Sequence, residues 1–394
     1  MLYKRNLSKY IEQQLDAKEI IVITGMRRVG KTTLLRMVYD KIQSENKVFL
    51  DLENIIEQKI FEELDYNNIW ANLKPYGLTN LEKAYIFLDE IQVKPEIVHA
   101  VKYLYDHYDV KFFVTGSSSF YMKNLFPESL AGRKIVFELF PLNFEEFMFF
   151  KEKERDVHDN FREKEQNKNA IACEKYKKYY DEYLAFGGFP QVVLEHDDNR
   201  KQLFLNDILT SYYEMDVKKM ADFREMAAFR DLMLILAQRI GSRLDITGLS
   251  SEAGVSRNTV YSYLSFLENT YFIYLISPFN RNVDKEVRGA KKVYFCDNGI
   301  ANLLAKLEPG RMLENAVFHN IRKYGKVNYY QRRSGSEIDF ILPDANLALE
   351  VKQKGKIRDY AKLSNLAESI DIANYYVVSR EFSPDKGIIP AADI

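Results

Sequence analysis

Residues 20–24 (IIVIT) form an apolar run that leads directly into residues 25–32 (GMRRVGKT), and residues 33–42 (TLLRMVYDKI) then carry apolar side chains at helical spacing. That order demands a buried strand, a tight backbone reversal and a helix whose first turn faces the loop. Gly25 and Gly30 let the loop curl so that backbone N–H groups converge on an anion. The helix start adds roughly half a positive charge at the same point. Lys31 is placed to reach the β and γ phosphates of a nucleotide, and Thr32 to offer its hydroxyl to Mg²⁺. Arg27, Arg28, Val29 and Thr33 complete the expected phosphate-binding segment.

A second segment agrees with the first. Residues 85–90 (YIFLDE) place four apolar residues before two carboxylates. In an open parallel sheet the C-terminal strand ends are where ligands bind. Asp89 suits the aspartate that holds Mg²⁺, through water or the Thr32 hydroxyl. Glu90 suits the base that orients the attacking water, a contribution of roughly 10²–10⁴ in rate. The pair of motifs predicts binding of ATP or GTP.

Further buried-strand patterns occur at residues 47–53, 111–117 and 134–139, separated by helical stretches. They predict a doubly wound α/β domain of five strands. Ser117, in the TGS sequence ending one of these strands, is the candidate sensor of the γ-phosphate. Arg133, in SLAGR before the fifth strand, is the candidate arginine finger, worth about 10³–10⁵ when a neighbour supplies it.

With 394 residues the chain has room for two or three domains, and 46% hydrophobic and 14% aromatic residues predict folded structure throughout. Cys173 and Cys296 lie far apart without metal-ligand spacing, which excludes a disulfide framework and fits a reducing cytosol. Residues 1–16 read as an amphipathic helix without an apolar signal core, and no stretch approaches the length of a membrane span. A net charge of −1 implies no global attraction to nucleic acid or membrane. Residues 281–362, however, carry 17 Lys+Arg against 10 Asp+Glu, a local +7.

Between residues 151 and 182 charges of both signs crowd together, as on solvated helix faces. Residues 229–278 read as a winged helix-turn-helix. Its second helix is capped by Ser256, with Val260, Leu264 and Leu267 inward and Arg257, Asn258, Tyr261 and Ser262 outward. One arginine is little positive charge for a helix that reads DNA, so packing as a lid is an equal reading. Farther on, residues 335–352 (GSEIDFILPDANLALEVK) form two strand patterns around a short loop. If Leu342 pairs with Leu347, Asp339 falls opposite Glu350 with Cβ atoms about 4.5–5.5 Å apart. Lys352 shares that face. Opposed carboxylates invite a divalent cation, and Glu314, on an upstream helical pattern, could add a third ligand.

Taken in order, GMRRVGKT, FLDEIQ, TGSSS, SLAGR, PLNFEEF, GGFP and EIDF…EVK resemble a group of bacterial and archaeal AAA-type ATPases with a winged helix and a C-terminal domain of unassigned function. The tail also resembles the PD-(D/E)xK nuclease fold, with Ile338-Asp339 in place of proline-aspartate. The resemblance implies four regions: an AAA-like P-loop doubly wound sheet over residues 1–150, a charged helical lid over 151–225, an α-rich winged helix over 226–280, and an α/β nuclease-like domain over 281–394. It implies ATP and Mg²⁺ as ligands and a cytoplasmic homo-oligomer. Three functional classes stay open. In one, ATP turnover controls a metal-dependent module acting on DNA or RNA. In another, an ATP-gated switch binds a protein partner and the tail is catalytically silent. The third is a winged-helix transcription regulator.

Overall fold

The computed structural model describes residues 3–117, 132–155, 158, 160–218, 225–280, 282, 286–287, 289–332 and 334–394. Residues 118–119 of the TGSSS segment and 129–131 of SLAGR lie outside them. The chain divides into two compact units, one of residues 1–140 with 269–271, the other of residues 141–268 with 272–394.

The first unit is built on five parallel strands, β1 (Ile20–Thr24), β2 (Lys47–Asp51), β3 (Ala84–Asp89), β4 (Val110–Gly116) and β5 (Lys134–Glu138), in the order β2-β3-β4-β1-β5. Every residue of β1 and β4 is buried, as strands covered on both faces must be. Ile20, Val22, Ile86, Leu88, Phe112 and Val114 pack with Val98, Val101 and Leu104 of the helix Ile97–His107. Among residues of the alternate phase, Phe87 stacks on Phe113 at 4.5 Å and meets Tyr39 of the helix Lys31–Lys41 edge-on at 5.2 Å. This arrangement is the P-loop α/β fold the strand patterns predicted.

Because all five strands run the same way, the C-terminal ends of β1, β3 and β4 lie along one edge. That edge gathers the glycine loop, Asp89 and Ser117.

The second unit begins with the helix Phe144–Phe150, closed by a capping box between Asn143 and Glu146. In the charge-rich region, the helix Ala170–Phe186 buries Tyr176, Tyr180, Tyr183 and Leu184. Lys164 departs from the solvated reading: it is 1% exposed, and its Nζ donates to the Asp393 carbonyl at 2.6 Å. Burial pushes that ammonium down to about 8. Beyond the helices Pro190–Leu194 and Asp198–Tyr212 come the helices Met226–Ala237, Ile246–Ala253 and Arg257–Asn269. The last buries Val260, Leu264 and Leu267, leaves Arg257, Asn258, Tyr261 and Ser262 exposed, and is capped by the Ser256 hydroxyl on the Thr259 N–H at 3.1 Å.

Next comes β6 (Ile273–Ile276), which pairs antiparallel with β7 (Lys292–Phe295). Isolated bridges from Ile240 and Arg243 also meet β7. A second sheet has the order β8 (Asn328–Gln331), β9 (Glu337–Leu342), β10 (Leu347–Lys352), β11 (Asn374–Ser379), β12 (Ile388–Pro390). Its first three strands are antiparallel and its last three parallel. Leu342 pairs with Leu347, the expected register, across a turn in which Asn346 takes φ 49°. Leu363, Leu366 and Ala367 of the helix Ile357–Glu368 pack with Ile338, Ile341, Ala348 and Val377 of the sheet.

Candidate functional site

The glycine loop is shaped by contacts a side chain would destroy. Gly25 has φ 151°, and a Cβ there would stand 2.0 Å from the Leu139 carbonyl oxygen. Arg28 adopts φ 65° and Gly30 φ 96°, which turns the chain into the helix Lys31–Lys41. The first intrahelical bond from the loop runs from the Leu34 N–H to the Gly30 carbonyl at 2.9 Å. The N–H groups of Thr32 and Thr33 precede it, at the helix start where an anion binds. Lys31 is 4% exposed, and its ammonium donates to the carbonyls of Gly25 at 3.0 Å and Met26 at 3.1 Å. Among the described residues, the buried Thr24 hydroxyl, at the end of β1, has no hydrogen-bond partner. A buried cation held on neutral carbonyls, converging N–H groups and an orphaned hydroxyl fit a bound polyphosphate.

Asp89, at the end of β3, is 4% exposed. Thr115 of β4 donates its hydroxyl to Asp89 Oδ1. Burial raises this carboxyl above its ordinary range, while hydrogen bonds from Thr115 and Thr32 pull it down, Glu90 raises it and Lys31 lowers it. The structure thus brings Thr32 and Asp89 together, two oxygen donors of the kind Mg²⁺ takes. Glu90 takes φ 56°, in the left-handed region, and its N–H donates to Thr115 Oγ1 at 3.0 Å. The Gln92 amide donates to Glu90 Oε2 and, at 2.9 Å, to Ser117 Oγ.

Arg133 is not brought to this edge. Its carbonyl accepts from the Ile20 N–H at 2.8 Å, at the start of β1, and its guanidinium pairs with Asp106 at 3.2 Å. The length of β1, about 16 Å at 3.3 Å per residue, separates it from the glycine loop.

Sequence reasoning missed Arg5, Gln92 and Thr115. Arg5 is 8% exposed; its guanidinium donates to the carbonyls of Val29 at 2.9 Å and Phe140 at 2.7 Å, bracing the loop. Nothing in its neighbourhood in the chain marks it. Thr115 and Gln92, by contrast, lie within the quoted TGS and FLDEIQ segments.

In the second unit, Glu314 comes from the helix Pro309–Ile321, Asp339 from β9, and Glu350 and Lys352 from β10. They share one region electrostatically. Burial first, and the Asp339 charge second, push both Glu314 and Glu350 up to about 7. Yet among the described residues no group of three or more His, Cys, Asp or Glu side chains is arranged to hold a metal ion. The expected Glu314/Asp339/Glu350 set is not among such groups as its side chains stand. Protein donors take up the carboxylates instead. Asp339 Oδ2 accepts from the Val351 N–H at 2.7 Å, and Glu350 Oε1 pairs with Lys352 Nζ at 2.6 Å. Glu314 Oε1 accepts from the Tyr294 hydroxyl at 2.7 Å. Lys292 of β7, 1% exposed, pairs with Glu337 and lies 3.8 Å from Glu314.

Comparison with known proteins finds similarity in both units. Residues 17–148 match the AAA domain family, and residues 177–311 and 309–387 match two domains of unknown function, DUF8612 and DUF4143. The uncharacterized protein MJ1544 of Methanocaldococcus jannaschii is 29% identical over 375 residues, covering 90% of this chain and 81% of its own. An uncharacterized protein of Haemophilus influenzae is 27% identical over 365 residues, covering 89% and 86%. Among solved structures, the Aeropyrum pernix ORC1 protein in complex with DNA matches 77% of this chain and 92% of its own at 13% identity, with a TM-score of 0.31. A STAND ATPase with a tetratricopeptide repeat sensor from Pyrococcus horikoshii matches 82% and 45% at 16% identity, with a TM-score of 0.28. Likenesses that loose carry no argument about function. No helix among the described residues is long and apolar enough to cross a membrane.

Proposed function

We propose that this chain, which carries an AAA-type ATPase domain at residues 17–148, hydrolyses ATP at the edge formed by the glycine loop, Asp89, Glu90 and Ser117. The observation that carries the reading is the linked set Thr32–Asp89–Thr115–Glu90 beside a buried lysine. Backbone N–H groups of the loop and Lys31 hold the phosphates, with Arg27, Arg28, Val29 and Thr33 framing them. Thr32 and Asp89 would hold Mg²⁺, which neutralises phosphate charge when it binds with ATP. Glu90 orients a water and accepts its proton as the new O–P bond forms and the bond from the γ-phosphorus to the bridging oxygen breaks. Ser117 marks the presence of the γ-phosphate. Arg133 has a role only in a homo-oligomer, where it would serve a neighbour's site after leaving Asp106.

The test is nucleotide binding and Mg²⁺-dependent hydrolysis by two variants. Lys31→Ala should lose binding. Glu90→Gln should keep binding and lose about 10²–10⁴-fold in turnover. A Glu90→Gln protein that turns over at the wild-type rate would remove Glu90 from the mechanism.

Two readings of the remaining chain have support. The local +7 of residues 281–362, and the three helices followed by a strand pair, support winged-helix and tail modules that couple turnover to DNA or RNA. The pairing of the tail acids with Lys292 and Lys352 favours instead a catalytically silent tail in an ATP-gated switch for a protein partner. Hydrolysis stimulated by DNA or RNA supports the first. Hydrolysis indifferent to both, with no cleavage, supports the second.

A further inference from the structure

We infer that Gln92 is a positioning residue that couples Ser117 to Glu90, setting both side chains for hydrolysis through the two N–H bonds of one amide. This rests on the assignment of Glu90 as the base and Ser117 as the group that meets the γ-phosphate.

The geometry is specific. Gln92 lies in the short helical turn Ile91–Val93 that follows Glu90, which carries its side chain back toward the strand ends. Its Nε2 donates one hydrogen to Glu90 Oε2 and the other to Ser117 Oγ at 2.9 Å. Its Oε1 accepts from the Ser117 N–H at 3.4 Å. One side chain therefore engages the ends of β3 and β4 together, and Thr115 ties the same two ends through Asp89 and the Glu90 N–H.

Each bond has a chemical consequence. A hydroxyl has one proton and two lone pairs. With the amide N–H on a lone pair of Oγ, Ser117 is oriented to give its own proton to an anion. A carboxylate has two oxygens, and the amide engages Oε2, which turns Oε1 to the water. Movement of Ser117 on meeting a phosphate is thus passed to the carboxylate through one rigid amide. The left-handed backbone at Glu90 (φ 56°) is the kind of local strain that functional sites retain, and Gln92 and Thr115 hold it on either side.

The experiment measures steady-state kcat and KM for ATP with Mg²⁺, and binding of a fluorescent ATP analogue, in Gln92→Leu, Ser117→Ala, the double variant and Glu90→Gln. Gln92→Leu should lower kcat about 10- to 100-fold, as expected for a catalytic group out of place, with KM within about threefold and analogue binding retained. In the Ser117→Ala background the same substitution should cost less than about threefold more, because the coupling is already broken. Equal loss in both backgrounds would reduce Gln92 to a packing residue and overturn the inference. Gln92→Glu keeps the shape and the acceptor for the Ser117 N–H while removing both donors, so it should lose at least as much as Gln92→Leu. Wild-type turnover by Gln92→Glu would overturn the inference even if Gln92→Leu failed to fold. If Glu90→Gln is inactive while both Gln92 variants turn over normally, this inference alone fails. If Glu90→Gln is fully active, the base assignment beneath it fails.

Discussion

Glu314→Gln should stabilise the second unit at pH 8 and leave it nearly unchanged at pH 5. The side chain keeps 18% of its surface exposed and lies among Asp339, Glu337 and the Lys292 ammonium. Burial, with the Asp339 charge behind it, moves its titration from the ordinary 4.5 to about 7. The folded protein then keeps a proton that the unfolded chain has released, so stability falls as pH rises from 4.5 toward 7. Above that window the charged form carries a constant penalty. At about 1.4 kcal/mol per pH unit of difference, it amounts to about 3 kcal/mol. Gln is neutral, has the same shape and can still accept from the Tyr294 hydroxyl, so it removes the penalty. At pH 5 the wild-type carboxyl is already mostly protonated, and the gain shrinks below about 1 kcal/mol.

Hydrogen exchange read on peptides covering β7, β9 and β10, in buffer with a chelator, is the suitable assay. The single tryptophan, Trp70, lies in the first unit and would not report on the second. Equal effects at the two pH values, or destabilisation at pH 8, would refute the argument that burial, with the Asp339 charge behind it, penalises the charged Glu314 carboxylate. Replacing the chelator with Mg²⁺ or Mn²⁺ should leave wild-type protection at pH 8 unchanged. A large gain with metal would mean that the acids can rearrange around a cation.

Gly25→Ala should leave the first unit folded but lose nucleotide binding, since the added carbon would meet the Leu139 carbonyl at 2.0 Å and push the loop away; a binding titration beside a thermal melt checks both. Arg5→Met removes two hydrogen bonds from a charged donor to the Val29 and Phe140 carbonyls, and should raise KM for ATP about tenfold with a smaller change in kcat. Gly187→Ala places a carbon 2.0 Å from Asp297 Oδ1 at φ 75°. It should displace that carboxylate from the Gly188 and Gly299 N–H groups, which it accepts at 2.6 and 2.8 Å, and cost the second unit at least about 2 kcal/mol in denaturant unfolding.

The sheet of the first unit was legible because its strands are short, apolar and separated by helical spacing, and because two of them end in residues whose chemistry depends on that end. The β9–β10 register was legible for a different reason. A four-residue connection leaves few ways to pair Leu342 and Leu347 with their apolar faces inward. What the sequence did not indicate about the tail acids is the part played by a residue distant in the chain. Lys292 precedes Glu337 by 45 positions, and nothing in KKVYF indicates that its ammonium enters a cluster of carboxylates. The pairing of β6 with β7 was hidden in the same way, since Ile273 and Phe295 meet only after an intervening polar stretch. Arg5 and Gln92 act through amide and guanidinium hydrogen bonds to groups fixed by tertiary closure. Periodicity and composition carry no trace of such bonds.

The Lys31 ammonium on the Gly25 and Met26 carbonyls bears on how a catalytic cycle would end. A buried ammonium with no acceptor would grip any phosphate, because departure of the anion would strand a charge in low dielectric. Here two backbone oxygens of the same loop receive it, so the emptied loop is a stable resting state. If the loop turns over ATP, release of phosphate and ADP would exchange one set of acceptors for another, and the ammonium would stay partnered within its own loop.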